Sequence, residues 1–443
     1  MRLDLLILAP EVPYPPRKGT AMRNYNIIRN LGSRHRVRLL AFDGDGVGGR
    51  ELEASGLCER VLTVAAPHRP GWRRLVQLLC AGPDLALRLE SAPMMTQISQ
   101  LVRADPPDIV QLEGLETARL WQEAEKRFTG RRPLVVLDEH NAEYALQERA
   151  FQTDIRRPVR WPAAAYSWLQ AMKLRRYESA LLNHVDGVVA VSEADAGVLR
   201  QLPSRRQAVV VSNGVDTDYF CPGSDDSPGA ASSQSETSGK PSSKPLGALE
   251  PPALVFTGTM DYRPNVDAAV WMSRTILPLI RNHRPNARLY LVGQRPSPAV
   301  RELSRCPGVH VTGAVEDVRP FIAGASVYVV PMRYGGGVRL KVLEAMAMGR
   351  AVVATRMGLD GIDCVPGQHV VVADEAEPFA AEVVSLLSDP ERRQKLGSEA
   401  RRLVCESYDW RTLVPRLEEY YLELLEKAKR RPRQAGRGGA ELR

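Results

Sequence analysis

The chain has 443 residues, with 60 Lys and Arg against 52 Asp and Glu (net charge +8), and is 44% hydrophobic and 25% charged. That is the composition of a soluble globular protein, and the length exceeds one ordinary core, so two domains are expected. The six cysteines (58, 80, 221, 306, 364, 405) form no C-x-x-C pair and the seven histidines no H-x-x-x-H pattern, which argues against a zinc site or disulfide framework and suits a reducing compartment.

In chain order, LDLLILAP (3–10) reads as a buried first strand rather than a signal sequence, because Pro10, Pro13, Pro15 and Pro16 follow at once. A loop and helix, PPRKGTAMRNYNIIRNL, come next. HRVRLLAFD, RVLTVAA, DIVQLEG, RPLVVLDEH, GVVAVS and AVVVSNGV then read as further strands. Residues 223–252 are rich in Ser, Gly, Pro and Ala and read as a flexible linker, since they bury too little surface to offset ordering entropy. Beyond them ALVFTG, RLYLVG, VHVTG, VYVVP, AVVAT and HVVVAD read as strands with helical segments between. Val-, Leu- and Ile-rich strands alternating with helices indicate parallel sheets covered on both faces. The expectation is two doubly wound, Rossmann-like α/β domains, 1–222 and 253–408, facing each other across a cleft, with ligands beyond the carboxyl ends of the strands. A helix over 409–426 is expected to be able to pack back on the first domain, ahead of a basic tail, 427–443. No apolar run approaches the ~20 residues of a spanning helix.

One stretch, YGGGVRLKVLEAMAMGRAVVAT (334–355), sets a lone carboxylate, Glu344, among apolar residues, where an unpaired buried charge is costly. Gly335, Gly336 and Gly337 let backbone amides approach a ligand, and a helix beginning there turns its positive end toward a phosphate. Lys341 and Glu344 then share a face with Gly337, the lysine suited to a phosphate and the carboxylate to the vicinal diol of a ribose. Arg339 lies about 160° around that helix from Lys341 and belongs on a different surface unless the first turn is irregular. The alternatives are a tight strand-to-helix turn and an internal Lys341–Glu344 ion pair.

LKVLEAMAMGRAVVATRMGLDGI (340–362) resembles the donor-binding signature of the retaining, nucleotide-sugar-dependent glycosyltransferases of family four, which have the GT-B fold. VVVSNGVDTDYFCP (209–222), DGVVAVSEADAGVL (186–199) and PPRKGTAMRNYNIIRNL (15–31) are similar to that family's interdomain crossing, the elements before it, and its first glycine loop and helix. LVFTGTMDYRPNVDAAVWM (254–272) resembles the start of the donor-side domain in an exopolysaccharide-associated branch. The resemblance implies that Glu344 binds the ribose and that Gly19 faces the diphosphate. It makes His140, in LDEHNAEY, the active-site histidine. Arg263 and Lys341 are the candidate diphosphate cations, and Gly258, Gly335, Gly336, Gly337, Arg339 and Leu343 complete the donor-binding set. One departure stands out: the family's second glutamate, eight positions before the first, is Gly336 here. Glu113 and Glu143 are candidates to replace it. His140 has a bland alternative, tying a strand end to a loop, and Asp138 and Asp216 read as a structural strand end and a cap.

The activity implied is transfer of a sugar from a nucleotide-diphosphate donor to a polysaccharide or lipid-linked acceptor with retention, without a metal or other cofactor. The alternative is a catalytically silent nucleotide-sugar binder or assembly subunit. A dehydrogenase is disfavoured, because no G-x-G-x-x-G follows the first strand. No nucleic-acid motif is present. The basic runs 69–74, 156–161, 173–176 and 427–437 fit a solvated face or an anionic membrane surface on the cytoplasmic side, and Trp72, Trp161, Tyr166 and Trp168 among them fit either such a surface or ordinary core packing.

Overall fold

The computed structural model describes residues 1–430 except 17, 18, 45, 70–79, 129, 131, 157, 205, 223–248 and 336. Gly336, Trp72, most of the expected linker and the tail from 431 therefore lie outside the described residues. The chain forms two compact units, Met1–Val211 with Leu413–Arg443, and Ser212–Thr412.

The first unit is built on a seven-stranded sheet of order β3-β2-β1-β4-β5-β6-β7. Its strands are β1 (Asp4–Ala9), β2 (Arg36–Asp43), β3 (Arg60–Ala65), β4 (Ile109–Glu113), β5 (Leu134–Glu139), β6 (Gly187–Ala190) and β7 (Val209–Val210). The second unit has a six-stranded sheet of order β10-β9-β8-β11-β12-β13. It comprises β8 (Ala253–Thr257), β9 (Arg288–Val292), β10 (Val309–Gly313), β11 (Val327–Val330), β12 (Val352–Ala354) and β13 (Val371–Val372). Every pairing between these strands is parallel. Helices cover both faces of such sheets, so β1, β8 and β11 are apolar almost throughout. Each order reverses direction once, between β1 and β4 and between β8 and β11. Open α/β sheets offer a crevice at such a switch, beyond the carboxyl ends of the strands.

The unit boundary corrects the expected one at 222. Ser212–Pro222 belongs to the second unit, where Val215 pairs in parallel with Asp409 and its N–H donates to the Tyr408 carbonyl at 2.9 Å. Pairing between residues so far apart in sequence left no local signal. The last helix runs Trp410–Arg430 and enters the first unit from Leu413 onward. There Tyr420 Oη accepts from the Val188 N–H at 3.0 Å, Glu418 meets His35 at 3.0 Å, and Tyr421 is fully buried.

In the second unit the helix Leu340–Ala347 ends in a Schellman turn: the Gly349 N–H donates to the Met346 carbonyl (2.9 Å) and the Arg350 N–H to that of Ala345 (3.0 Å). Gly349 holds the left-handed conformation this requires, φ +66°. The helix Pro390–Ser407 packs across the same turn, and Arg401 donates to the Ala347 carbonyl. A Cβ on Gly397 would sit 2.1 Å from the Gly349 carbonyl oxygen. Gly397→Ala should therefore destabilise the protein by about 1–3 kcal/mol through overpacking. Urea unfolding checks this: the midpoint falls, and an unchanged midpoint would show that the two helices have room to separate.

Candidate functional site

In the second unit, β8 delivers Thr257 and Gly258 to the switch point, and the helix Leu340–Ala347 follows β11 in the chain. Lys341 Nζ donates to Asn265 Oδ1 at 2.8 Å and lies 4.2 Å from the centroid of the Phe256 ring. Asn265 is itself fixed, its Nδ2 donating to the Thr259 carbonyl at 2.9 Å. Gly258 makes room for this arrangement. A Cβ there would be 2.7 Å from Lys341 Nζ and 2.8 Å from Asn265 Nδ2, and its φ of +153° disfavours any side chain.

Burial and the nearby Arg339 bring the Lys341 ammonium down to about 7, with Glu344 partly opposing. Burial pushes the Glu344 carboxyl up to about 7, and Lys341 opposes that shift. The two side chains feel each other without forming an ion pair within 4.0 Å, so the internal-pair alternative is corrected: Asn265, not Glu344, holds the ammonium. Among the described residues no donor hydrogen-bonds the half-buried Glu344 carboxylate. Beneath it, Tyr328 is wholly buried and its hydroxyl meets Thr257 Oγ1 at 2.6 Å.

The other expected donor residues separate. Arg339 caps the helix rather than lying within it, and it is buried. A Cβ on Gly335 would come 2.5 Å from its Nη2, so Arg339 belongs to the glycine loop and the expectation of a separate surface is corrected. The helix begins three residues after Gly337, so the glycine stands in the loop, with φ +79°. Arg263 is exposed at the first position of the helix Arg263–Trp271. Its carbonyl accepts from the Tyr334 hydroxyl at 3.1 Å, and its guanidinium lies 5.9 Å from the Tyr334 ring centroid. Leu343 is a correction: its side chain is 0% exposed in the core and offers a ligand nothing.

The first unit carries a second cluster at its switch point. Glu113 ends β4, Asp138 lies at the end of β5, and His140 follows β5 directly. Arg23, on the helix Gly19–Gly32, donates twice to Asp138 at 2.9 Å and also to the Val211 carbonyl at 3.0 Å. Asp138 thus has the structural role expected of it. Gly19 opens that helix at the surface. His140 Nε2 is 2.9 Å from Glu113 Oε2, and Gln111 donates to Glu113 Oε1. The Tyr421 hydroxyl donates to Gln111 Oε1. With its amide nitrogen turned toward acceptors, Asn24 donates to Glu113 Oε2 at 2.8 Å.

Burial works against the charged imidazole, but the hydrogen bond to Glu113 and the charges of Asp138 and Glu113 outweigh it and raise the pKa of His140. Burial, with Asp138, raises that of Glu113, against the pull of His140. Of the two candidate replacement carboxylates, Glu113 is the one bonded to His140. Glu143, brought to about 7 by burial and by Glu116, accepts from Asn141. Ligand atoms of Glu113, Asp138 and His140 lie within 4.8 Å of one another. Arg23 occupies both Asp138 oxygens, while Gln111, His140 and Asn24 occupy those of Glu113, so this donor set fits a hydrogen-bond network better than a cation site.

Sequence reading missed Asn265, Arg23, Asn24, Gln111 and Tyr421. Gln111 interrupts the apolar residues Ile109, Val110 and Leu112 of β4, and that polar residue at a buried position was the one available signal.

This network predicts how His140 titrates. Glu113→Gln removes the charge and the strongest acceptor, so the imidazole pKa should fall. Tyr421→Phe, which only frees Gln111, should lower it less. NMR titration of the His140 ring checks both, and an unmoved pKa in Glu113→Gln would mean that the pair is not formed in solution.

Residues 17–219 match the family described as Glycosyltransferase Family 4, and residues 251–389 match that described as Glycosyl transferases group 1. A 44.6 kDa protein of the cps region of Klebsiella pneumoniae is 23% identical over 164 residues, 35% of this chain and 42% of its own length. The GDP-mannose-dependent alpha-(1-6)-phosphatidylinositol monomannoside mannosyltransferase of Mycolicibacterium smegmatis is 29% identical over 221 residues, 46% of this chain and 54% of its own. The matched region thus spans about half the length of these relatives. Among solved structures, sucrose-phosphate synthase from Thermosynechococcus elongatus superposes with a TM-score of 0.67 at 18% identity, covering 96% of this chain and 100% of that one. Anabaena HepE in complex with UDP gives 0.62 at 15% identity, covering 95% and 100%. At such identities the likeness concerns the fold.

Proposed function

The chain belongs to the family 4, group 1 type of glycosyltransferases with the GT-B fold, and from that premise we propose that it moves a sugar from a nucleotide-diphosphate donor to a polysaccharide or lipid-linked acceptor, with retention, on the cytoplasmic side of a membrane. The observation that carries the reading is Glu344, a half-buried carboxylate to which no described residue donates. Leaving such a group desolvated and unbonded is costly, and a ribose diol supplies the two donors it lacks. HepE, with the same fold, was solved with UDP, and the Mycolicibacterium relative is named for GDP-mannose, which supports a nucleotide ligand and leaves the base open.

In this reading Lys341 and Arg263, with the amides of the Gly335–Gly337 loop and the start of the helix Leu340–Ala347, hold the diphosphate. Breaking the anomeric C–O bond leaves negative charge on the departing diphosphate, and preorganised cations stabilise that charge most in the transition state. Asn265 supplies the preorganisation by fixing Lys341. These cations provide the countercharge that a metal ion supplies in other designs, so EDTA should leave turnover unchanged. His140, oriented by Glu113, is assigned to polarising a sugar hydroxyl. Gly336, where the family has its second glutamate, favours a second reading, a silent nucleotide-sugar binder. Saturable binding by the purified protein without donor hydrolysis or transfer would select that second reading.

Loss of two charge-assisted hydrogen bonds in Glu344→Ala should weaken nucleoside diphosphate binding about 10- to 100-fold. Lys341→Ala should mainly lower turnover, by about 100-fold or more. The diphosphate prefers the charged ammonium and the diol prefers the ionised carboxylate, and both groups sit at about 7. Affinity in the wild type should therefore peak near pH 7 and fall on either side. Lys341→Ala should lose the alkaline limb, and Glu344→Gln the acid limb. Calorimetric titration across pH, with a panel of nucleoside diphosphates, checks this. Wild-type binding and turnover in both alanine variants would remove the site from consideration.

A further inference from the structure

Six of the twelve exposed large apolar residues among those described fall within eighteen positions of the first unit: Ile155, Val159, Trp161, Tyr166, Trp168 and Met172. Trp161, Trp168 and Met172 lie at i, i+7 and i+11 along the helix Trp161–His184, on one stripe, with the tryptophans 60% and 51% exposed. The two tryptophans border a hollow of about 430 Å³ whose other lining residues are Phe151, Ile155, Ala164 and Ala165, so the side chains that line it are apolar. Trp161 Nε1 donates to the Ile155 carbonyl at 3.2 Å, which fixes the ring at the lip of the hollow rather than leaving it to fold away.

Along residues 155–177 the charge has one sign. From Ile155 to Tyr177 the sequence has no Asp or Glu, while Arg156, Arg157, Arg160, Lys173, Arg175 and Arg176 are cationic. Arg160 is paired with Asp154 at 2.6 Å, and Lys173 reaches the Cys80 carbonyl at 2.6 Å. Arg156, Arg175 and Arg176 stand exposed, the last two a turn beyond Met172 on the same helix. A contiguous apolar patch of this kind marks an interaction surface. Tryptophan and tyrosine favour the boundary between lipid headgroup and acyl chain, and flanking Lys and Arg attract anionic lipid. A second copy of the chain would bring its own cations against these, so charge complementarity selects lipid over self-association.

We propose that the described residues among 155–176 form a membrane-docking face, with Trp161 and Trp168 entering the interface of an anionic bilayer, Arg156, Arg175 and Arg176 on the headgroups, and the hollow taking the end of an acyl chain. The proposal goes beyond sugar transfer and stands on the surface alone. Its test does not use turnover.

The full chain should co-sediment with vesicles of phosphatidylcholine containing phosphatidylglycerol, bind phosphatidylcholine alone far more weakly, and lose affinity as salt rises. The double variant Trp161→Ser, Trp168→Ser should lose roughly tenfold or more in partitioning. Arg175→Glu with Arg176→Glu should lose the preference for the anionic lipid. Both substitution pairs lie on the surface, and an unchanged melting temperature with an unchanged thermal shift by nucleoside diphosphates confirms intact folding and an intact second unit. Absence of wild-type binding to anionic vesicles at low salt overturns the proposal, as does wild-type partitioning by the tryptophan variant. Concentration-dependent self-association in sedimentation velocity that the tryptophan variant abolishes would overturn it too, by giving the face to a second copy.

Discussion

Two opposite charges on one eight-residue helix, close enough to shift each other and not joined, set the character of the second unit's site. Lys341 is drawn to Asn265 and to the face of Phe256, leaving Glu344 to find its hydrogen bonds elsewhere. Had the two closed on each other, each would have satisfied the other and the crevice would be electrostatically quiet. Asn265 keeps them apart at little cost, because a neutral amide oxygen satisfies an ammonium without cancelling its charge. The glycine at 258 is part of the same constraint, since any side chain there would occupy the space of the Lys341–Asn265 contact.

The first unit solves the same problem the opposite way. Its buried carboxylates are closed off by protein donors: Asp138 by the guanidinium of Arg23, and Glu113 by Gln111, His140 and Asn24. What remains available is the imidazole of His140, one-fifth or less exposed and kept basic by the acids behind it. A fully bonded carboxylate network suits a group that must be held in one orientation, whereas an open carboxylate suits one that must accept a ligand.

The strands were legible because burial on both sheet faces writes a continuous apolar run, a local property. Glu344 and Lys341 stood out for the converse reason, as charges within such a run. What escaped were contacts whose two ends lie far apart in sequence. Arg23 meets Asp138 across 115 residues and Tyr421 meets Gln111 across 310, and neither partner's neighbourhood hints at the other. The misplaced boundary at 222 has the same origin, since Val215 pairs with Asp409. Arg339 was misjudged because an angle around an ideal helix was applied to a residue that caps it. Leu343, named for its place in a motif, proved to be core, showing that a motif mixes residues that touch a ligand with residues that hold the others in place.

The terminal helix gives this long-range dependence a consequence for the chain as a whole. Its Tyr421 completes the hydrogen bonding of Gln111, its Tyr420 hydroxyl accepts from the β6 backbone, and its Glu418 meets His35 behind β2. The histidine site is therefore not a property of residues 1–211 alone. Its geometry depends on a segment that follows the whole second unit in sequence, so the orientation of His140 is set only once both sheets have been made. A fold in which the last helix returns to the first unit thus ties the readiness of one site to completion of the chain that carries the other.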